Sequence, residues 1–309
     1  ASERGGLSGA LPMGIAFACS IGGLGTVIGS PTNAIGVALL AETTGERISF
    51  AQWSAFGLPI VLLGIPLAAW IIGRVQRVSA GGFDTDAARA WISGAGPLTT
   101  PERRLLPVIG LAFAAWLTVP LVEPLLPAGA WDDGTIAIIV GLALFLLPDG
   151  TGRPMLEWRE ADRAPWGVIL MFGGGLALAS GMTRTGLAGW LGEMLLPLDA
   201  LPLLVVAMLV VALVVLITEF ASNVATASAL LPIVASLGVA LGASPYLLAL
   251  PAAMAASWGF MLPAGTGPNA IAWATGRVPL SGMIRAGLLL DLAGIVLIVG
   301  VIWSIAALF

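Results

Sequence analysis

Histidine and lysine are both absent from these 309 residues, and cysteine occurs once, as Cys19. Without histidine, imidazole acid–base catalysis and histidine metal sites are excluded within the chain. A single cysteine excludes an internal disulfide and a cysteine-built metal cluster. Charge is scarce: charged residues make up 10%, against about a quarter in a typical soluble domain. All 13 basic residues are arginine, the formal net charge is −4, and they form no basic stripe, which argues against a nucleic-acid partner. Alternating apolar and polar strand patterns are missing, so a β-barrel is disfavoured. No grouping of Glu, Asp, Ser and Lys suggests a catalytic centre, so an intramembrane enzyme is the weakest of the functional classes considered. Residues 1–11 (ASERGGLSGAL) lack the basic leader and short apolar core of a signal peptide, and the start at Ala1 reads as an internal cut in a longer protein.

What is abundant is apolar. Hydrophobic residues make up 58% of the chain and the mean hydropathy is +1.01. Runs long enough for membrane helices, which need about 20 mostly apolar residues, cover roughly 12–40, 54–73, 105–122, 134–148, 166–182, 201–220, 223–241, 246–275 and 285–308. The expected fold is therefore an all-α polytopic membrane protein in an inner or plasma membrane. Arginine clusters in 74–104, 149–165 and 277–285, and the positive-inside rule places these segments in the cytoplasm, with the C-terminus extracytoplasmic. Only Ala221 and Ser222 separate the runs 201–220 and 223–241, the second of which opens with Asn223. Two full crossings and a re-entrant hairpin give the same parity. The uncharged polar tip favours the hairpin, which is tolerated at membrane depth where it is buried in protein or faces water.

Two segments resemble each other: Ser20–Ile35 (SIGGLGTVIGSPTNAI) and Ser257–Ile271 (SWGFMLPAGTGPNAI). Gly29, Ser30 and Asn33 match Gly265, Thr266 and Asn269. Pro31, Pro263 and Pro268 interrupt the helical hydrogen-bond ladder, and Gly29, Gly265 and Gly267 admit non-helical backbone and close approach of a ligand. The expected product is a pair of broken helices, whose freed carbonyls suit a cation and whose half-helix N-termini suit an anion. Following Arg4, the first copy runs outward and the second returns toward Arg277, as an inverted-topology repeat demands. Between them, Thr218–Thr226 (TEFASNVAT) offers the oxygens of Thr218, Ser222, Asn223 and Thr226, the Asn223 amide, and the first backbone N–H groups of the helix that follows. Plain Ser/Asn capping of that helix is the alternative use of the tip.

These motifs resemble the divalent anion/sodium symporters, which include the sodium-coupled dicarboxylate and citrate carriers. That family carries Ser-Asn-Thr at the tip of each of two re-entrant hairpins, each followed by a broken helix with Gly/Ala-[Ser/Thr]-Pro-Pro-Asn. TEFASNVATASALLPI is similar to the second hairpin, MLPAGTGPNAI to its broken helix and GTVIGSPTNAI to the first broken helix; Pro165–Gly192 is similar to a further signature segment. The first hairpin is expected upstream of Ala1, and Ser222-Asn223-Val224 departs from the family's Ser-Asn-Thr. The resemblance implies a secondary transporter that couples sodium to a small divalent anion such as a C4-dicarboxylate, working as a homodimer by elevator-type alternating access. It implies substrate contacts at Ser222, Asn223, Thr266, Gly267, Ser30 and Pro31. Sodium ligands are implied at Gly29, beside the first hairpin, and at Thr218, Asn223 and Gly265, with support from Asn33, Asn269, Glu219 and Thr226. Dicarboxylate exchange or sulfate transport on the same scaffold is the nearest alternative; an arsenite-type permease or an anion channel is the alternative of another class.

By segment, 1–40 is expected to hold the first broken helix, 41–148 scaffold helices, 149–200 a connection and a glycine-rich helix, 201–241 the hairpin, 242–276 the second broken helix and 277–309 the last crossing. Glu219 serves either proton coupling or organisation of the hairpin. Asp291 is expected to pair at the interface with Arg277 and Arg285. Gly173–Gly175 follows no strand and reads as a helix-packing or helix-breaking run. Trp53, Trp131, Trp158 and Trp166 are expected as interfacial anchors.

Overall fold

The computed structural model describes residues 6–45, 47–78, 96–127, 129–164, 166–195 and 200–307. Arg4, Pro165 and most of the arginine-bearing 74–104 segment therefore lie outside the described residues. Within them the chain runs through α1 (Gly6–Gly23), α2 (Pro31–Thr44), α3 (Phe50–Val75), α4 (Thr100–Val122), α5 (Asp133–Leu146), α6 (Trp166–Arg184), α7 (Leu187–Met194), α8 (Leu203–Phe220), α9 (Asn223–Ala240), α10 (Pro245–Ala255), α11 (Gly267–Ala274) and α12 (Leu280–Ala306). Pairing of strand type among the described residues amounts to an isolated bridge between Pro148 and Pro154. Six helices are long and apolar enough to cross a membrane, bearing out an all-α polytopic membrane protein. The 134–148 run is shorter than expected: α5 has 14 residues, about 21 Å at 1.5 Å per residue, and on its own falls short of a hydrocarbon core about 30 Å thick.

The chain divides into two compact units. The smaller holds Ser49–Gln52 and Gly81–Gly167. In it Thr99 and Glu102 form a reciprocal capping box at the start of α4. Asp132 caps α5 through Thr135 N–H at 2.7 Å, and Asp133 accepts from Phe50 N–H at 2.8 Å. Phe50 stacks on Trp116 and meets Phe113 edge-on. After α5, Arg153 joins Glu160, Glu157 and Asp149 in the network that orders the 149–160 turn. Its hydrogen bond holds the Glu160 carboxyl below the usual carboxylate range.

The larger unit holds Ala1–Ile48, Trp53–Ala80 and Val168–Phe309. Its core joins Phe17, Leu24, Ile35, Trp53, Met254, Trp258, Phe260 and Leu290. Helix α9 packs on α2, α7 and α10; α10 packs also on α2, α8 and α12; α1 packs on α11. In lipid, where apolar burial drives helices together weakly, small residues set these approaches. Gly175 on α6 lies against Ser228 Oγ on α9, so closely that a β-carbon there would collide with it. Gly57 on α3 rides on the Leu24 carbonyl and Gly287 on α12 on the Phe260 backbone, with no room for a β-carbon at either.

One expected anchor is corrected. Trp53 is fully buried and donates from Nε1 to Leu24 O at 2.9 Å, so it is a core tryptophan. Helix α3 begins at Phe50, and the indole turns inward because a carbonyl freed by the neighbouring helix break needs a donor. Trp158 and Trp166 are exposed.

Candidate functional site

The 12–40 and 246–275 runs are each interrupted. Helix α1 ends at Gly23, a single 3₁₀ turn covers Val27–Gly29, and α2 starts at Pro31. Helix α10 ends at Ala255 and α11 starts at Gly267, leaving the intervening residues without regular structure. Proline is well placed at both restarts, because the first turn of a helix has no use for its missing N–H. Gly29 lies so close to Gly23 O that any side chain would collide with it.

Both breaks are tied by the same device. Asn33 Nδ2 donates to Gly23 O at 2.7 Å and Thr26 O at 2.9 Å, ten and seven residues back. Asn269 Nδ2 donates to Gly259 O at 3.4 Å and Leu262 O at 3.3 Å, again ten and seven residues back. Both asparagines are fully buried. The correspondence continues outward: Leu24 and Phe260 each lie nine residues before their asparagine, and each is the seat of a glycine, Gly57 or Gly287. Gly64 and Gly294, seven residues further along α3 and α12, both face Trp258. Spacing from the asparagines sets Ser20 against Ala256 rather than against Ser257, which corrects the start of the repeat alignment by one residue.

The two breaks and the tip between α8 and α9 converge on one cavity of about 420 Å³. Gly29, Ser30, Pro31, Ser222, Asn223, Gly265, Thr266 and Gly267 all line it, so every residue expected at the substrate is brought together there. Cys19, Ser20, Val224 and Ser257 complete much of the wall, and no charged side chain lines it. Three helices start at this cavity, each capped by its own hydroxyl. Ser30 Oγ accepts from Thr32 N–H at 3.3 Å, Ser222 Oγ from Ala225 N–H at 3.2 Å and Thr266 Oγ1 from Asn269 N–H at 3.2 Å. The first amides of a helix have no acceptor within it; here they include those of Asn223, Val224 and Gly267. Three positive helix ends around a space without fixed charge can attract an anion.

Thr218 and Glu219 stand behind the wall. Thr218 Oγ1 lies 2.8 Å from Asn223 Oδ1 and donates to Ala256 O at 2.7 Å. The same end of the Asn223 carboxamide is 3.2 Å from Ala256 O and 3.3 Å from Gly265 O; turned over, its nitrogen would donate to all three oxygens. That orientation satisfies the amide by itself; a hard cation at this point would require Oδ1 inward, to join the uncharged oxygens of Thr218, Ala256 and Gly265, and Ala256 O was not legible from motifs because any residue supplies a carbonyl. Among the described residues no cluster of three His, Cys, Asp or Glu side chains offers a competing metal site. Glu219 accepts from Met261 N–H at 2.8 Å and Leu262 N–H at 2.9 Å, fastening the second break to the end of α8. Thr226 is buried in α9 away from the cavity wall, with Oγ1 unpartnered. Asp291 is not at the interface with Arg277 and Arg285. It sits at the twelfth position of α12, 3% exposed, beside Glu219 and the Phe260 backbone. The glycine seat at Gly287, one turn before it, draws this part of α12 onto the break.

Residues 3–309 match the sodium:sulfate symporter transmembrane region. The chain belongs to this family. Among its relatives, the sodium-dependent dicarboxylate transporter SdcS of Staphylococcus saprophyticus is 39% identical over 304 residues, which cover 95% of this chain and 58% of the relative. The protein of the same name in Staphylococcus aureus is 38% identical over 303 residues, covering 96% of this chain and 58% of the relative. The chain thus spans less than two thirds of the length of the curated relatives it matches. Membership makes it a multi-pass membrane protein of the divalent anion/sodium symporter type.

Proposed function

We propose that this chain forms the anion-binding half-sites of a secondary transporter that carries a small divalent anion, a C4-dicarboxylate first, together with sodium. The observation that carries this is the convergence of three capped helix N-termini on one uncharged cavity of about 420 Å³, next to the oxygen cluster of Thr218, Asn223, Ala256 and Gly265. Ser222, Asn223, Thr266, Gly267, Ser30 and Pro31 hold the anion. Thr218, Asn223 and Gly265 hold one sodium, and Gly29 contributes to another. Asn33, Asn269 and Glu219 keep the breaks in shape, and Thr226 lends support from within α9. Because the cavity supplies only partial charges, a divalent anion is stable there when cations sit beside it, which ties the occupancy of one to the other. The names of the SdcS relatives support this substrate and this ion.

The finer reading has α8 and α9 as a re-entrant hairpin in a homodimer that works by elevator-type movement. The segments 74–104, 149–165 and 277–285 face the cytoplasm, and the C-terminus lies outside. The test is uptake of labelled succinate into proteoliposomes holding the complete protein. Uptake driven by an inward sodium gradient, and abolished when potassium replaces sodium, is expected. Equal uptake without sodium rejects the symport and leaves exchange as the second reading. Competition by sulfate is the natural companion measurement, since the family description itself names that anion.

A further inference from the structure

Ser257 has no role in the reading above. It is 5% exposed, it lines the cavity, and its Oγ has no hydrogen-bond partner. The capping hydroxyls of the same wall, on Ser30, Ser222 and Thr266, each accept a bond from their own helix and keep the O–H free to donate, whereas the Ser257 hydroxyl makes no bond of either kind. The Ser257 backbone N–H is spent as well, donating to Met254 O at 3.2 Å where α10 closes. A buried hydroxyl without a partner is costly, and such groups in folded proteins call for an explanation. Here the adjoining cavity, part of whose wall is Ser257 itself, offers the place for a partner. The helix ends offer an anion backbone N–H groups from α9 and α11, with the Ser30 hydroxyl at the start of α2, but none from the α10 side. Ser257 stands there, immediately after Ala256, at a position matched by Ile21 in the first break, where the hydroxyl on the cavity wall is that of Ser20, one position earlier.

We propose that Ser257 Oγ–H donates a hydrogen bond to the anion in the cavity, making Ser257 a binding residue on the α10 side. This rests on the anion-binding reading above. Cys19 gives a direct test, because it is exposed and lines the same cavity. The complete protein in saturating sodium chloride is labelled with a small maleimide, with Cys19→Ser as the blank that assigns the signal to this thiol, and succinate is titrated as protectant. Loss of one hydrogen bond to a charged group is expected to raise the half-protecting succinate concentration about tenfold in Ser257→Ala. Ser257→Thr, which keeps the hydroxyl, stays within about twofold of wild type. An unchanged succinate value in Ser257→Ala, or an equal loss in Ser257→Ala and Ser257→Thr, overturns the assignment while leaving anion binding intact. Failure of succinate and sulfate alike to protect Cys19 in the unsubstituted protein overturns the anion-binding reading, and this inference with it.

Discussion

Asn33 and Asn269 do the same work twice. Each is fully buried and supplies one side-chain amide to two carbonyls that the helix break has freed. Removing either amide leaves those carbonyls buried without donors, at about 1–3 kcal/mol for each unsatisfied group. Asn33→Ala and Asn269→Ala are therefore each expected to lower the thermal midpoint of the purified protein by several degrees, measured by intrinsic tryptophan fluorescence. A midpoint that does not move in either variant rejects the tie. At this scale the repeat itself was legible, because Gly-[Ser/Thr]-x-x-Asn-Ala-Ile recurs in the chain. The partner carbonyls were not legible, since every residue carries one and only the path of the backbone selects Gly23, Thr26, Gly259 and Leu262. Trp53 and Asp291 were misplaced for a related reason. A tryptophan near the end of an apolar run and a carboxylate near arginines look interfacial in one dimension, whereas a helix break beside each draws it inward.

At the scale of helices, α3 and α12 are seated on the two breaks by glycines that admit no side chain. Gly287→Ala would drive a β-carbon into the Phe260 backbone, which has no flexible end to yield. Gly300 on the same helix has open space around it, and alanine there should gain up to about 1 kcal/mol of helix propensity. The expected outcome is that Gly287→Ala no longer elutes as a monodisperse species on size-exclusion chromatography while Gly300→Ala does; normal elution of Gly287→Ala would show that α12 does not sit on the break. Helix identity followed from apolar run length and from Pro and Gly punctuation. Helix limits inside the broken runs did not. The second gap extends from Ala256 to Thr266 because Glu219 captures the N–H groups of Met261 and Leu262, a long-range bond that no local propensity encodes.

For the whole molecule, the distribution of arginine carries the proposed orientation, and single cysteines in a Cys19→Ser background test it. Thr151→Cys lies in the exposed turn after α5 and Met194→Cys at the exposed end of α7. With an impermeant maleimide, Met194→Cys is expected to label in intact cells, and Thr151→Cys only in inverted vesicles; the reverse pattern inverts the proposed topology. Composition, run length and the paired motifs were enough to determine a polytopic helical membrane protein with two interrupted helices, and the family resemblance named half of the cavity wall. These are properties of local chemistry: solvation by lipid, the missing N–H of proline, the absent side chain of glycine. Tertiary structure alone decided that three helix starts meet at one cavity, that the Ala256 and Gly265 carbonyls and the Thr218 hydroxyl gather at one end of the Asn223 carboxamide, and that Ser257 lines the cavity with its hydroxyl unpartnered. The physical reason is that these depend on where segments more than 200 residues apart come to rest, which close packing and the pairing of buried polar groups settle for the molecule as a whole.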